Sequence, residues 1–261
     1  MLITLTTDFA SKDPFVGVMK GVIFGIHPAA RVVDLSHGLP PQDVMAAALV
    51  LKHAAPYFPA GTIHVAVVDP GVGSARRPIL IESGGSYFVG PDNGVLSLAV
   101  ESDKSARVFH LSNPAYHLRP TSATFHGRDI FAPAAAHLAL RVSPEALGES
   151  LDGFAKIPWP RVAASELGIE GEILYIDGFG NLFTNIRESE LVALPNKNLI
   201  VRVGALVIDG IARNYSERKP GDYLALINSW GLLEIAINQG NAQQASRAKR
   251  GDKVKILLNP Q

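Results

Sequence analysis

Apolar positions fall in two different patterns along this chain. Up to about residue 140, short β-branched runs alternate with longer stretches whose apolar residues recur every three or four positions. LITLT (2–6), RVVDL (31–35) and TIHVAVV (62–68) are short runs rich in apolar, β-branched residues, which predicts three strands, the first of them buried. Between the first two, Asp13-Pro14 reads as an N-cap followed by proline at the first helical position, opening a helix through Ile26. Pro41 to His53 places Val44, Ala47, Ala48 and Leu51 on one helical face. RPILIES and SYFVG meet at Gly84-Gly85, a predicted hairpin, and Asn93 to Val100 and Asp129 to Leu140 predict two further helices. This alternation predicts an α/β domain with a Rossmann-like, largely parallel sheet covered on both faces.

Beyond Gly148 the pattern breaks. DGFAKIPWPRVAAS has two prolines close together and weak periodicity, and then come EGEILYID, NLFTNI, LIVRV, ALVID, DYLALIN, LLEIAIN and DKVKILL. Short runs spaced by glycine, asparagine and proline predict a small antiparallel, barrel-like β domain. The expected organisation is an N-terminal α/β domain over 1–150, a linker over 151–168 and a C-terminal β domain over 169–261.

Composition narrows the class. Apolar residues make up 47% of the 261 and charged residues 18%, enough for a sizeable core. Lys+Arg and Asp+Glu are both 24, so no net basic field points to nucleic acid or an anionic membrane. Cysteine is absent, which excludes thiolate catalysis and cysteine metal sites. MLITLTTDFA lacks the basic start and apolar run of a secretory signal, and no window holds the roughly 18 apolar residues of a membrane helix. The expectation is a cytoplasmic protein that binds neither membrane nor nucleic acid.

Candidate chemistry gathers at strand ends. Asp8 follows the first strand and Asp69 the third; if those strands are parallel, both carboxylates leave the edge where α/β sheets bind ligands. Either could equally cap a turn. DPGVGSARR lacks the third glycine of a dinucleotide fingerprint, and Pro78 begins a strand where that motif needs a helix. In TFHGRDIFAP, Asp129 fits a first-turn acid with Arg128 paired to it on the surface, whereas His126, in a short bend, is free to face a cleft. His64 lies inside a strand as a core histidine; His27 ends a helix; His37, His53 and His117 have no evident partner. No HxH or HExxH pattern supports a metal site. In the second half, Asp177 and Asn181 of DGFGNLFTNI either shape a β-turn or read the polar edge of a ligand. Tyr215 stands in a polar loop as a possible stacking platform, and INSWG offers Asn228, Ser229 and Trp230 in a turn.

Together, TTDF, VVDPGVGSARR, FVGPDNGVL, TFHGRDIFAP, DGFGNLFTNI and INSWGLLEIAIN resemble the S-adenosylmethionine hydroxide adenosyltransferases, the adenosine-forming SAM hydrolases related to the bacterial fluorinase and chlorinase. The resemblance runs in order from Leu2 to about Leu258. It implies hydrolysis of S-adenosyl-L-methionine to adenosine and L-methionine without a cofactor. It also implies a homotrimer whose active sites form between the N-terminal domain of one subunit and the C-terminal domain of the next. It assigns catalysis to Asp69, Arg76 and His126, without saying which takes the proton. It assigns the ribose hydroxyls to Asp8, the methionine amino group to Asp177, the adenine edge to Asn181, stacking to Tyr215 and the methionine carboxylate to Ser229; Trp230 stands where the fluorinase has an arginine.

The halogenase branch is the alternative. Fluorinases have tyrosine at the position of Asp69 and serine at that of Gly127, and an extra loop for which RRPILIESGGSYFVG leaves no room. A carboxylate at Asp69 repels halide and accepts a hydrogen bond from water. A metal-dependent phosphoesterase using Asp8, Asp69 and His126 as ligands is a second alternative, and a non-catalytic adenosine or S-adenosylmethionine sensor a third.

Overall fold

The computed structural model describes residues 1–165, 168–194 and 199–258. The chain divides into two compact units, Met1–Ile157 and Pro158–Gln261. Positions 166–167 of the expected linker, and 195–198 and 259–261 of the expected second domain, lie outside the described residues.

The first unit is built on a seven-stranded sheet of β1 (Leu2–Thr7), β2 (Arg31–Ser36), β3 (Ile63–Val67), β4 (Pro78–Ser83), β5 (Ser86–Pro91), β6 (Arg107–His110) and β7 (Ser150–Leu151), in the order β2-β1-β3-β5-β4-β6-β7. It is mixed. The β2-β1-β3-β5 half is parallel and the remainder antiparallel. The change of direction is local chemistry: Gly84 and Gly85 both take positive φ and close the β4–β5 hairpin. The parallel strands need long crossovers, which carry α1 (Phe15–Ile26) and α2 (Val44–Ala54). Ile3, Leu5, Ile63 and Val65 of the sheet pack with Met19 and Ile23 of α1, Phe131, and the alanines of α3 (Ala132–Ala139).

Three local expectations change. Asp13 does not cap α1; Pro14 occupies the cap position and makes no side-chain bond. Residues 93–100 form buried turns and no helix. There Gly94 has φ +95°, and the Asn93 side chain takes the Val95 amide and donates to the Val68 carbonyl, competing with helical bonding. The last predicted helix starts earlier, as a π-turn over Gly127–Phe131 that leads into α3. Pro133 has no amide to offer the Asp129 carbonyl, which accepts from Leu118 N at 2.8 Å.

The second unit contains β8 (Ala163–Ser165), β9 (Gly168–Ile176), β10 (Leu182–Arg187), β11 (Leu199–Val203), β12 (Leu206–Asp209), β13 (Tyr223–Ile227), β14 (Leu232–Ile237) and β15 (Lys253–Leu258). Their order is β12-β11-β15-β9-β10-β14-β13, with β8 on β9, and these pairs are antiparallel. An Ala212–Leu226 bridge draws the two ends together into a nearly closed barrel, which shields its edges. Ile173, Leu182, Val201, Leu233, Ile235, Val254 and Ile256 fill its core. Among the described residues, no helix is long and apolar enough to cross a membrane.

Candidate active site

β1 and β3 are parallel neighbours with Thr7 opposite Val67, so Asp8 and Asp69 leave the same carboxyl edge. After Asp69 the chain turns tightly, with Val72 N bonded to Asp69 O and Ser74 N to Gly71 O. Gly73 makes this possible. Its φ is +77°, and a Cβ there would run into the carbonyl oxygen of Ala123. The turn thus lies against the segment that carries His126, and it delivers Arg76 back to the strand end.

There the three polar groups meet. Arg76 Nε donates to Asp69 Oδ1 at 2.9 Å, Nη2 donates to Asp69 Oδ2, and Nη2 lies 2.7 Å from His126 Nδ1. The ion pair is nearly dry, with side chains 8% and 6% exposed, and the guanidinium sits 5.4 Å over the Phe131 ring. Burial first, and then the adjacent Arg76 cation, hold the His126 pKa below the ordinary histidine value. The ring is therefore neutral near pH 7, with Nδ1 accepting from Arg76. Arg76 Nη1 is buried and has no hydrogen-bond partner.

A cavity of about 420 Å³ opens beside this cluster, lined by Asp8, Phe9, Phe15, Asp69, Phe125 and His126 among others. Asp8 Oδ2 accepts from Gln42 N at 2.7 Å. Phe9, Phe15 and Phe125 pack edge to face, with centroids 5.3–5.9 Å apart. His37, for which the sequence offers no partner, lies 2.8 Å from Thr7 Oγ1 and 3.0 Å from Asp34 Oδ1, bracing the chain just before Asp8. The expected Arg128–Asp129 pair forms, but not on the surface. Asp129 is wholly buried and also accepts from Ser122 N. Burial alone would raise that carboxyl; Arg128 and the Ser122 amide outweigh it and hold the pKa below the usual range. His64 is a core histidine, 2.8 Å from Thr4 Oγ1.

In the second unit Asp177 Oδ1 accepts from Phe179 N and Asn181 N, and Asn181 Nδ2 donates to Asp177 Oδ2 at 3.0 Å. Both are thus turn residues, and Asn181 keeps its Oδ1 as an acceptor. Asn181 and Tyr215 line a mainly apolar cavity of about 520 Å³ together with Phe179 and Ile237. Ser229 is exposed in the β13–β14 turn and is not among that cavity's lining residues. Trp230 packs on Tyr175 and Phe183. Glu234, absent from the sequence-derived candidates, is buried in β14 and accepts from Tyr215 Oη at 2.7 Å. Among the described residues no three His, Asp or Glu side chains are grouped to hold a metal ion.

An α/β unit with an Asp–Arg–His cluster at the ends of its parallel strands, followed by an antiparallel β unit, defines a two-domain enzyme. The family model of the SAM hydroxide adenosyltransferase N-terminal domain matches residues 3–148, and that of the C-terminal domain matches residues 171–255. The chain is 42% identical to the (R)-S-adenosyl-L-methionine hydrolase of Thermus thermophilus, over 96% of this chain and 97% of that one. It is 35% identical to the enzyme of the same name from Methanocaldococcus jannaschii, over 98% and 95%. A fluorinase from an Actinoplanes species is 27% identical, over 91% of each chain. The crystal structure of a conserved protein from Thermotoga maritima superposes with a TM-score of 0.89 at 36% identity, covering 98% of this chain and all of the other. The chain belongs to the SAM hydroxide adenosyltransferase family.

Proposed function

We propose that this protein hydrolyses (R)-S-adenosyl-L-methionine to adenosine and L-methionine by attack of water at C5′. The observation that carries this reading is the Asp69–Arg76–His126 cluster beside the first cavity. Relatives at 35–42% identity carry the hydrolase name.

The reaction makes one hard demand. The sulfonium departs as a neutral thioether, so the leaving group needs no acid, and the C5′–S electron pair goes to sulfur. The nucleophile is neutral water, which must be held in line and lose a proton. Positioning alone contributes several kcal/mol, roughly 7–11 at best. Arg76 does not line the cavity; it fixes the Asp69 carboxylate there by engaging both of its oxygens. A neutral His126 whose Nδ1 accepts from Arg76 carries its proton on Nε2, from which it can only donate. Asp69 is then the proton acceptor, because each of its oxygens keeps a lone pair beyond those engaged by Arg76. The C5′–O bond forms as C5′–S breaks, and the released proton passes through Asp69 to solvent. Neither a metal nor a redox cofactor enters this chemistry.

In the same proposal Asp8 accepts the ribose hydroxyls with the oxygen not taken by Gln42, and Asn181 reads the adenine edge through Oδ1. Tyr215 stacks on the base, Asp177 meets the methionine amino group and Ser229 the methionine carboxylate. The protein works as a cytoplasmic homotrimer with sites shared between subunits; light scattering tests the trimer, and recovery of activity on mixing Asp69→Asn and Asp177→Ala chains tests the shared sites. Incubation with each sulfonium diastereomer, with and without fluoride or chloride, should give adenosine and methionine from the (R) form whatever halide is present. A 5′-halogenated nucleoside, or no product at all, would overturn the reading.

A further inference from the structure

Glu234 is an unusual investment for a strand. β14 reads LLEIAI and is buried at every position, and Glu234 itself is 1% exposed. An apolar residue would fill the place without dehydrating a carboxylate. Burial accordingly pushes its pKa up, against the hydrogen bond from Tyr215. That bond, 2.7 Å from the phenol oxygen, reaches across 19 positions of sequence.

Tyr215 opens a single 3-10 turn, Tyr215–Glu217, in a loop with little regular structure. The backbone there is already secured: Asn214 caps Ser216 N, and Asn238 donates to Arg218 O at 2.7 Å. The loop thus has backbone anchors on both sides of Tyr215 that do not involve Glu234. What Glu234 holds is the side chain of Tyr215, a residue that is 42% exposed and lines the 520 Å³ cavity with Phe179 and Ile237. The cavity combines apolar walls with the amides of Asn181, Gln239 and Asn241, a chemistry suited to a flat heteroaromatic base with a polar edge.

We infer that Glu234 is a positioning residue for the nucleoside: its carboxylate grips the Tyr215 hydroxyl and sets the ring at the angle at which the base stacks. The inference rests on the nucleoside reading given under Proposed function. A tyrosine free to rotate would have to be ordered on each binding event, so the loss on breaking the grip falls on affinity and not on the chemical step.

The test is adenosine binding by calorimetry, with KM and kcat for the substrate, in wild type, Glu234→Gln, Glu234→Leu, Tyr215→Phe and the Leu/Phe double variant. Glu234→Leu and Tyr215→Phe should each raise the adenosine Kd and the substrate KM about 5- to 30-fold, with kcat falling less than threefold. The double variant should be no worse than Glu234→Leu alone, since the Tyr215–Glu234 bond is already lost there; Tyr215→Phe isolates that bond, because Glu234→Leu also removes the carboxylate's interaction with the Asn228 side chain. Glu234→Gln, which still offers an oxygen to the hydroxyl, should stay within threefold of wild type. Should Glu234→Leu fail to fold, Tyr215→Phe carries the same test with the carboxylate in place. Unchanged Kd and KM in both single variants, or a loss confined to melting temperature, would overturn the inference alone. Failure of the wild type to bind adenosine would overturn the nucleoside reading, and this inference with it.

Discussion

Asp69 with Arg76, and Asp177 with Asn181, are both polar pairs a few positions apart, yet they are built on opposite plans. The second pair is complete within five residues. Asp177 takes two amides of its own turn and the Asn181 side chain, and needs nothing from elsewhere in the chain. The first pair is complete only with His126, 50 positions beyond Arg76, and only because Gly73 lets the turn press against Ala123. The first unit gathers ionised groups in a nearly dry place, where an unbalanced charge is expensive. The second presents amides, aromatic rings and two carboxylates already engaged by hydrogen bonds, Asp177 in its own turn and Glu234 under Tyr215. Under the proposed function this contrast separates two tasks: moving a proton uses charge assembled from distant segments, whereas recognising a nucleoside uses polar edges and flat walls.

The largest expected effect comes from removing the charge at Asp69. Asp69→Asn should lower kcat by about 10²–10⁴-fold while adenosine affinity stays within a few-fold, measured by single-turnover assay and calorimetry. Near-normal turnover would dissolve the distinction between the two units, since the first would then hold no essential base.

Asp8 tests whether the first unit also binds. It accepts one backbone amide and faces the cavity, and a ribose hydroxyl left unpaired there costs about 1–3 kcal/mol. Asp8→Ala should therefore raise the adenosine Kd about 10- to 100-fold, with a smaller change in kcat. An unchanged Kd would move the ribose away from this cavity.

The smallest effect is a change that should not occur. Burial and Arg76 hold the His126 pKa below 6.5, so the neutral ring persists as pH falls through the ordinary histidine range. A depressed folded pKa contributes stability that is present above pH 6.5 and is lost as pH falls through the folded value. The kcat profile should therefore stay flat, within twofold, as pH drops through 6.5, and fall only below it. An inflection at or above 6.5 that disappears in His126→Gln would show a histidine outside Arg76's influence, and would reopen it as the base.

Much of this was legible in the chain. The strands were marked by short apolar, β-branched runs, the β4–β5 hairpin by Gly84-Gly85, and the second unit by short runs spaced by glycine, asparagine and proline. Asp69, Arg76 and His126 stood out because DPGVGSARR and TFHGRD are not ordinary loop sequences. Other features were hidden for identifiable reasons. The turns at 93–100 look helical until the Asn93 side chain is seen accepting from the Val95 amide and donating to the Val68 carbonyl on a distant segment. The Gln42 amide is invisible because every residue but proline has one, and its role depends on where Asp8 arrives. Glu234 did leave a signal: a single acid in an otherwise apolar strand, which is costly to bury without a partner.

What the sequence determined by itself was local: which segments form strands, where glycine permits a turn, which side chains are chemically able to move a proton. Periodicity and backbone freedom act over a few residues, so neighbouring positions suffice to read them. Tertiary structure alone decided that Arg76 bridges Asp69 and His126, that Asp129 is buried while its partner Arg128 stays partly exposed, and that Glu234 holds Tyr215. Such contacts join segments up to 50 positions apart, and their strength comes from the loss of water around them, a property of the packed molecule that no short stretch of chain possesses.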